Sequence, residues 1–120
     1  MENRLSEIYD LLYRLGVTAN YTGFFYITYA VLLCAERPDR LLLVTKWLYP
    51  EVAKRYDTNW KAVERNIRIT VSLAWENNRP LLERMAYRPL IRQPCVSAFL
   101  AMTTQYLLSG AACDWGREQA

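Results

Sequence analysis

Apolar side chains recur along the first part of the chain with the spacing of an α-helix. Four of them follow one another at intervals of three, four and three residues, which places them on one helical face. They are Leu5, Ile8, Leu12 and Leu15. Gly16 follows, at a point where helices often end in a left-handed residue. Residues 23–36 are apolar on almost every side, which is typical of a central helix buried by its neighbours.

Further helices are indicated along the rest of the chain. Residues 41–49 are predicted to be helical, and Pro50 either kinks this helix or occupies the first turn of a new one. Residues 77–80 break the pattern, and residues 81–86 predict a short helix. The last helix is predicted over residues 96–108, with five residues facing inward. These are Val96, Phe99, Leu100, Thr103 and Leu107. The fold class is therefore all-α.

Residues 57–59 are expected to join two helices in a tight turn. Asp57, Thr58 and Asn59 are turn formers and helix caps, because each side chain can accept from a free backbone N–H. The next helix is predicted over residues 60–75, from an inward stripe with intervals of three, four, four and three residues. The stripe consists of Trp60, Val63, Ile67, Val71 and Ala74. A helix-turn-helix over about residues 46–75 is therefore predicted.

The composition is that of one domain. The chain has 120 residues, of which 52% are hydrophobic, and 13% aromatic content argues against disorder. We expect a single domain over residues 1–120, with an ordered core over about 5–109 and a frayed tail over 110–120. The N-terminus lacks the apolar segment of a secretory signal, and the longest uncharged apolar run, residues 24–35, is too short to cross a bilayer. The expected location is the cytoplasm, with no membrane partner.

The reactive side chains argue against catalysis. The chain has no histidine, which removes the usual zinc ligands, the Ser-His-Asp arrangement and the Cys-His pair together. Its three cysteines, Cys34, Cys95 and Cys113, lack CxxC spacing and fit reduced thiols in a cytosol. Cys34 and Cys95 have apolar neighbours, so both are expected to be small core residues. No enzymatic activity, metal site or cofactor is expected.

The outward face of the helix predicted over residues 60–75 is basic. Lys61, Arg65 and Arg68 are spaced by four and three residues, and Glu64 lies beside them on adjoining strips of one surface. Such a surface suits the major groove of DNA, where Arg can pair with guanine O6 and N7 and Glu can accept from cytosine N4. A plainer reading stays open, because a basic helix face is often only solvated and Glu64 with Arg68 is an ordinary i,i+4 pair.

Positive charge is concentrated near this helix. Residues 46–68 contain six basic and three acidic residues, a net charge of +3 that equals the net charge of the whole chain. A second basic stretch, residues 79–92, contains four arginines and one glutamate. Both stretches could contact phosphate groups. The candidates for phosphate contact around the turn are Lys46, Lys54, Thr58 and Asn59.

Three segments of the sequence resemble a known family. They are TKWLYPEVAKRY over residues 45–56, VERNIR over residues 63–68 and AW at residues 74–75. They are similar to the C-terminal effector domain of the sporulation master response regulator, the stage 0 sporulation protein A family. The similarity extends over most of the chain, and it implies a compact six-helix bundle that contains a helix-turn-helix.

The resemblance also implies a function. In that family the domain binds a short DNA box of the TGTCGAA type, commonly as head-to-tail tandem copies, and contacts the RNA polymerase sigma subunit. It assigns Glu64, Arg65 and Arg68 to the reading face, with Arg65 as the main base contact. The expected function is sequence-specific regulation of transcription on duplex DNA. The alternative is a protein-interaction module with weakened DNA reading that acts on the sigma subunit or another regulator.

Several features depart from the family pattern. Ala62 stands where the family has a second arginine, Lys61 replaces a small polar residue and Ile69 replaces a histidine. An apolar Ile69 beside the reading face could contact a thymine methyl group, or it could mark a loss of the DNA role. The family also places a phosphoacceptor receiver domain before this one, whereas this chain starts almost directly with its first helix. If the chain is the complete gene product, it is expected to be controlled by its abundance or by a partner, whereas a fragment of a longer protein would carry no such expectation.

Overall fold

The computed structural model describes residues 2–110, with side chains from residue 4 onward. This part of the chain contains six α-helices and no strand. The helices are α1 (Glu2–Arg14), α2 (Thr22–Glu36), α3 (Tyr49–Arg55), α4 (Trp60–Asn77), α5 (Arg79–Ala86) and α6 (Val96–Leu108). The all-α fold that the apolar spacing predicts is therefore confirmed.

Helix α2 lies at the centre of the fold. It contacts α1, α3, α4 and α6, and its side chains Phe24, Ile27 and Val31 are buried in one continuous core. Removal of this apolar surface from water is the main favourable contribution to folding. The prediction of a central helix buried on most sides is confirmed, and all five residues predicted to face inward on α6 are buried.

Helices α2 and α4 approach each other most closely at Gly23. A Cβ atom at this position would lie 1.9 Å from Thr70 Oγ1 and 2.5 Å from the carbonyl oxygen of Asn66. Thr70 Oγ1 donates to that same carbonyl at 2.9 Å, so the polar atoms of α4 at the crossing are satisfied within α4. Only glycine leaves room for this approach.

The inward stripe of α4 is buried except at its first position. Four of its residues are fully buried: Val63, Ile67, Val71 and Ala74. Trp60 is 42% exposed, so its prediction as an inward residue is wrong. Trp60 is the first residue of α4, and it lines a shallow surface cavity together with Val44 and Thr45. A side chain at the end of a helix can lie in line with the stripe and still extend beyond the core.

The prediction of one helix over residues 41–49 is wrong, because this segment consists of two short irregular turns. A 3₁₀ turn spans Pro38–Leu42 and a π-helical turn spans Val44–Leu48, separated by Leu43 with φ −131° and ψ 52°. Pro50 occupies the first turn of α3, which is one of the two positions predicted for it.

Two observations explain why a regular helix does not form there. The carbonyl of Leu43 accepts from both Trp47 N at 2.9 Å and Leu48 N at 3.3 Å, which widens the turn. Leu42 and Leu43 are 82% and 49% exposed, whereas Leu48 is buried, so only part of this segment packs on the core. Most of the stability of a short helix comes from packing an apolar stripe on a core.

The cysteines have different environments. Cys34 is buried, as predicted, and burial raises the pKa of its thiol to about 11. Cys95 is exposed at the residue before α6, so its prediction as a core residue is wrong. The apolar residues next to Cys95 in the sequence did not predict its burial, because Cys95 lies at the start of a helix. Cys113 lies outside the described residues.

Helix α1 ends in the left-handed residue that the sequence predicts. Gly16 has φ +85°, Val17 N donates to Leu12 O at 2.9 Å, and Gly16 N donates to Tyr13 O at 3.0 Å. This pair of hydrogen bonds is a Schellman motif, in which the helix satisfies its own last carbonyls.

Between residues 2 and 110, no helix has both the length and the apolar content needed to cross a membrane. The predicted tail lies, apart from Gly110, outside the described residues.

We expect Gly23→Ala to destabilise the protein by about 1–3 kcal/mol, because the new methyl group would meet the backbone of α4. An alanine in an unobstructed helix would instead stabilise it by up to about 1 kcal/mol, so the sign of the change in the free energy of unfolding is diagnostic. Denaturant unfolding measures it. Adding Thr70→Ala should recover only part of the loss, because the Asn66 carbonyl remains. An unchanged or raised stability of Gly23→Ala would contradict the close crossing.

Candidate nucleic-acid interface

Residues 56–59 join α3 to α4 through a turn built on Asp57. Asp57 adopts φ 53°, Thr58 N donates to Ala53 O at 2.9 Å, and Asp57 N donates to Lys54 O at 3.4 Å. These hydrogen bonds form a second Schellman motif, with Asp57 as its left-handed residue. The sequence predicts a turn here but does not show which residue takes the left-handed conformation.

Asn59 caps the start of α4, in the role the sequence predicts. Its Oδ1 accepts from Ala62 N at 2.9 Å, and its carbonyl accepts from Val63 N at 3.2 Å. This cap satisfies an N–H group that a helix start would otherwise leave free. Because Asn59 is exposed and its Oδ1 holds the cap, its side-chain NH₂ group is available to a ligand.

Two asparagines attach the other end of α4 to α1. Asn77 Nδ2 donates to Gly16 O at 3.2 Å, and Asn78 Nδ2 donates to Arg14 O at 2.7 Å. The accepting carbonyls belong to the last turn of α1 and the residues that follow it. Helix α4 is therefore capped at its start, attached to α1 at its end and packed on α2.

The four residues proposed to read bases share the outward side of α4. Lys61, Arg65 and Arg68 are exposed, whereas Glu64 is half-buried, with 27% of its side chain accessible. At about 100° of rotation per residue, Arg65 lies near the middle of the exposed side, with Lys61 and Arg68 to one side of it. Glu64 lies nearest to the core.

Glu64 and Arg68 form an ion pair. Arg68 Nη1 donates to Glu64 Oε1 at 2.8 Å and approaches Oε2 at 3.2 Å. The ordinary i,i+4 pairing that the sequence left open is therefore present. Within residues 2–110 Arg65 forms no ion pair, so its guanidinium is the unpaired arginine group at the centre of this face.

The other edge of this face is apolar. Ile69 is 48% exposed and lies one turn beyond Arg65, and Ala62 is half-buried two turns before Ile69. Asn66 lies between them, but its Nδ2 donates to Ala62 O at 2.8 Å, so this amide bonds to its own helix. The family departures at Ala62 and Ile69 therefore lie on one strip beside Arg65.

The phosphate-contact candidates lie around the start of α4 and in the turn before α3. Lys54 is exposed in the last turn of α3, Thr58 is half-buried in the connection, and Asn59 is the exposed cap. Lys46 is exposed in the π-helical turn Val44–Leu48, apart from the other three in sequence.

Trp47 holds the segment that carries Lys46, a role that sequence reasoning missed. The guanidinium groups of Arg37 and Arg40 lie over its ring, 5.3 Å and 5.2 Å from the ring centre. Arg40 also donates to Leu33 O at 2.9 Å and lies 4.0 Å from Glu51. The sequence signal for this contact was a tryptophan preceded by Arg37 and Arg40, because Arg commonly stacks on aromatic rings.

A shallow cavity of about 360 Å³ lies between α4 and the start of α6, lined in part by Tyr49, Glu64 and Cys95. Burial, with Glu64 nearby, raises the pKa of Tyr49 to about 12, so this phenol is neutral at pH 7. The hydroxyl of Ser97 and the backbone N–H of Ala98 lower the pKa of the Cys95 thiol. Within the described range, no group of three or more His, Cys, Asp and Glu side chains is placed to hold a metal ion.

An all-α domain with an exposed basic face on a helix held by the core has the organisation of a helical DNA-binding domain. The family model described as Sporulation initiation factor Spo0A C terminal matches residues 8–107. The chain belongs to this family, which comprises DNA-binding regulatory domains of a sporulation response regulator rather than enzymes. The resemblance of residues 45–56 and 63–68 is therefore confirmed.

We expect Asp57→Gly to stabilise the protein by about 1 kcal/mol, because glycine adopts the left-handed conformation without the steric cost of a Cβ atom. Asp57→Ala is the matched control, and it should lower stability because alanine keeps the Cβ atom and loses the polar side chain. Thermal unfolding of the three proteins measures both changes. Equal melting temperatures for the glycine and alanine variants would contradict the left-handed turn.

Proposed function

We propose that the chain is a sequence-specific transcription regulator in which α3 and α4 form a helix-turn-helix and α4 enters the major groove of duplex DNA. The observation that carries the proposal is the position of Arg65. It is exposed and unpaired within the described residues, at the centre of the outward side of a helix that is packed on α2 and attached to α1 at its end. An arginine presented in this way suits a bidentate contact to guanine O6 and N7.

The neighbouring side chains have supporting roles in this proposal. Lys61 lies one turn before Arg65 and contacts a base edge or the adjacent backbone. The Glu64 carboxylate holds Arg68 and can still accept from cytosine N4, because an ionised carboxylate has about four lone-pair sites. Arg68 is thereby oriented toward the groove with fewer rotamers to lose on binding.

Phosphate contacts would position α4 in the groove. We assign them to Lys46, Lys54, Thr58 and Asn59. The Asn59 side chain lies at the start of α4, next to the partial positive charge of a helix N-terminus, and Lys54 is exposed in the last turn of α3. Contacts of this kind set the register of the protein on the duplex and carry no sequence information.

We also propose the finer details that the family resemblance implies: a box of the TGTCGAA type, head-to-tail association on tandem boxes and contact with the RNA polymerase sigma subunit. A single domain over residues 1–120, expected from the composition, is part of the same proposal.

We expect Arg65→Ala to weaken discrimination at one base position by about 1–3 kcal/mol and to leave stability unchanged. Binding isotherms on a box duplex, on its single-base variants and on a scrambled duplex measure this change. Arg4→Ala, which removes an arginine from α1, is the matched control and should bind as the unmodified chain does. Equal loss of affinity on box and scrambled DNA would exclude Arg65 as a base contact.

We expect Glu64→Gln to relax the preference at one further position by about 1–3 kcal/mol, because an amide can both donate and accept where a carboxylate only accepts. At low salt its affinity for scrambled duplex should rise, since a negative charge near the phosphates is removed. The lost ion pair should cost at most about 0.5 kcal/mol of stability. Glu7→Gln on α1 is the control. Unchanged base preference would remove Glu64 from the reading face.

The exposed Ile69 favours a second candidate function. An apolar side chain beside Arg65 fits a protein contact as well as a thymine methyl group. In that case the chain would act as an interaction module on the sigma subunit or another regulator. A titration of box and scrambled duplex at several salt concentrations separates the two functions, because only a base reader keeps a difference between them at each salt concentration.

A further inference from the structure

The connection between α5 and α6, residues 88–95, is an extended loop fixed firmly to the rest of the domain. We call it the α5–α6 loop. Leu90 is buried, its N–H donates to Glu83 Oε2 at 2.7 Å, and Arg79 donates to its carbonyl. Arg79 also stacks on Trp75 of α4, with 4.5 Å between guanidinium and ring centre. The middle of this loop is therefore anchored through α5 to α4.

A second attachment places the loop beside the outward side of α4. Gln93 Nε2 donates to Ser72 Oγ at 2.9 Å, and Ser72 Oγ donates to the Arg68 carbonyl at 3.2 Å. Ser72 lies seven residues beyond Arg65, about two turns and 10 Å further along the helix axis. The loop consequently lies along the C-terminal half of α4, on the Arg68 side of the reading face.

The α5–α6 loop presents unpaired positive charge. Arg88 and Arg92 are both exposed, and neither forms an ion pair within residues 2–110. Glu83 is the last acidic residue before Asp114 in the sequence, and its carboxylate already binds the Leu90 N–H. Ile91 lies between the two arginines and is 95% exposed. No neighbouring carboxylate in this part of the sequence offsets either arginine.

We propose that the α5–α6 loop is a second DNA-contacting element, in which Arg88 and Arg92 bind phosphates of one strand beside the box. This inference rests on the proposed insertion of α4 into the major groove. The groove is about 12 Å wide, so phosphate strands run along both sides of an inserted helix. A rigid basic loop beside the C-terminal half of that helix would meet the strand on the Arg68 side.

The chemistry of the loop favours phosphate over bases as its ligand. Arginine binds phosphate oxygens through two parallel N–H donors, and both guanidinium groups are exposed. The attachments through Gln93 and Leu90 fix the loop in advance, so little conformational entropy is lost on binding. Contacts of this type add affinity equally on every sequence.

Salt dependence of DNA binding tests the proposal. The full 120-residue chain, Arg88→Gln, Arg92→Gln and the double variant are titrated at several salt concentrations against a box duplex with about ten flanking base pairs on each side. The slope of log K against log salt concentration is negative, and each single substitution should reduce its magnitude by about 0.9. The double variant should reduce it by about twice that. Losses should be equal on box and scrambled duplex. Arg4→Gln is the matched control and should leave the slope unchanged.

Two further comparisons sharpen the result. The pair Arg88→Lys and Arg92→Lys should keep the slope, because lysine preserves the charge. Neutral methylphosphonate linkages in the flank, placed one at a time, should weaken binding of the unmodified chain at one or two positions and leave the double glutamine variant unaffected. Unfolding curves confirm that the exposed substitutions leave the fold intact.

The outcomes separate this inference from the proposed function. An unchanged slope in the double variant, with box preference retained, overturns the α5–α6 loop contact and leaves the role of Arg65 standing. If the double variant has a slope of smaller magnitude but Arg65→Ala still discriminates between bases at every position of the box, only the base-reading role of Arg65 is overturned. Absence of any duplex binding by the unmodified chain overturns both.

Discussion

The close approach of α2 and α4 at Gly23 sets which side of α4 faces the core. Helix α2 is the buried centre of the fold, and the missing side chain at Gly23 lets the backbone of α4 pass within contact distance of it. The residues of α4 that face this contact are buried, so the opposite side of the same helix must face solvent. Exposure of Lys61, Arg65 and Arg68 is thus a consequence of how the core packs.

The ends of α4 are held by hydrogen bonds of a different kind from those of its neighbours. Helices α1 and α3 close their last carbonyls with their own backbone in Schellman motifs, at Gly16 and Asp57. Helix α4 instead relies on asparagine side chains, with Asn59 at its start and Asn77 and Asn78 at its end. A helix that is capped at its start, attached at its end and packed on the core can present side chains with little loss of freedom on binding, which favours specific recognition.

Sequence reasoning succeeded where one physical pattern determined the structure. The 3.6-residue period predicted α1, α6 and the buried part of the α4 stripe, and the run that is apolar on almost every side predicted α2, because apolar patterning is what packing selects. Sequence reasoning failed for residues 41–49, where only part of the segment packs on the core, and for Trp60 and Cys95, which lie at helix starts. The charge pattern placed Lys61, Arg65 and Arg68 on one side, but the attachment of Gln93 to Ser72 joins residues 21 apart and has no local signal. Long-range polar contacts of this sort depend on the assembled fold.

The asparagine contacts between α1 and α4 also give the domain a mechanical connection. The carbonyls of Arg14 and Gly16 are tied directly to Asn78 and Asn77, so a displacement of the end of α1 would act on the far end of α4 through these hydrogen bonds as well as through the buried core. Strain applied at one margin of the domain would thus reach the helix that carries Arg65 through two amide groups.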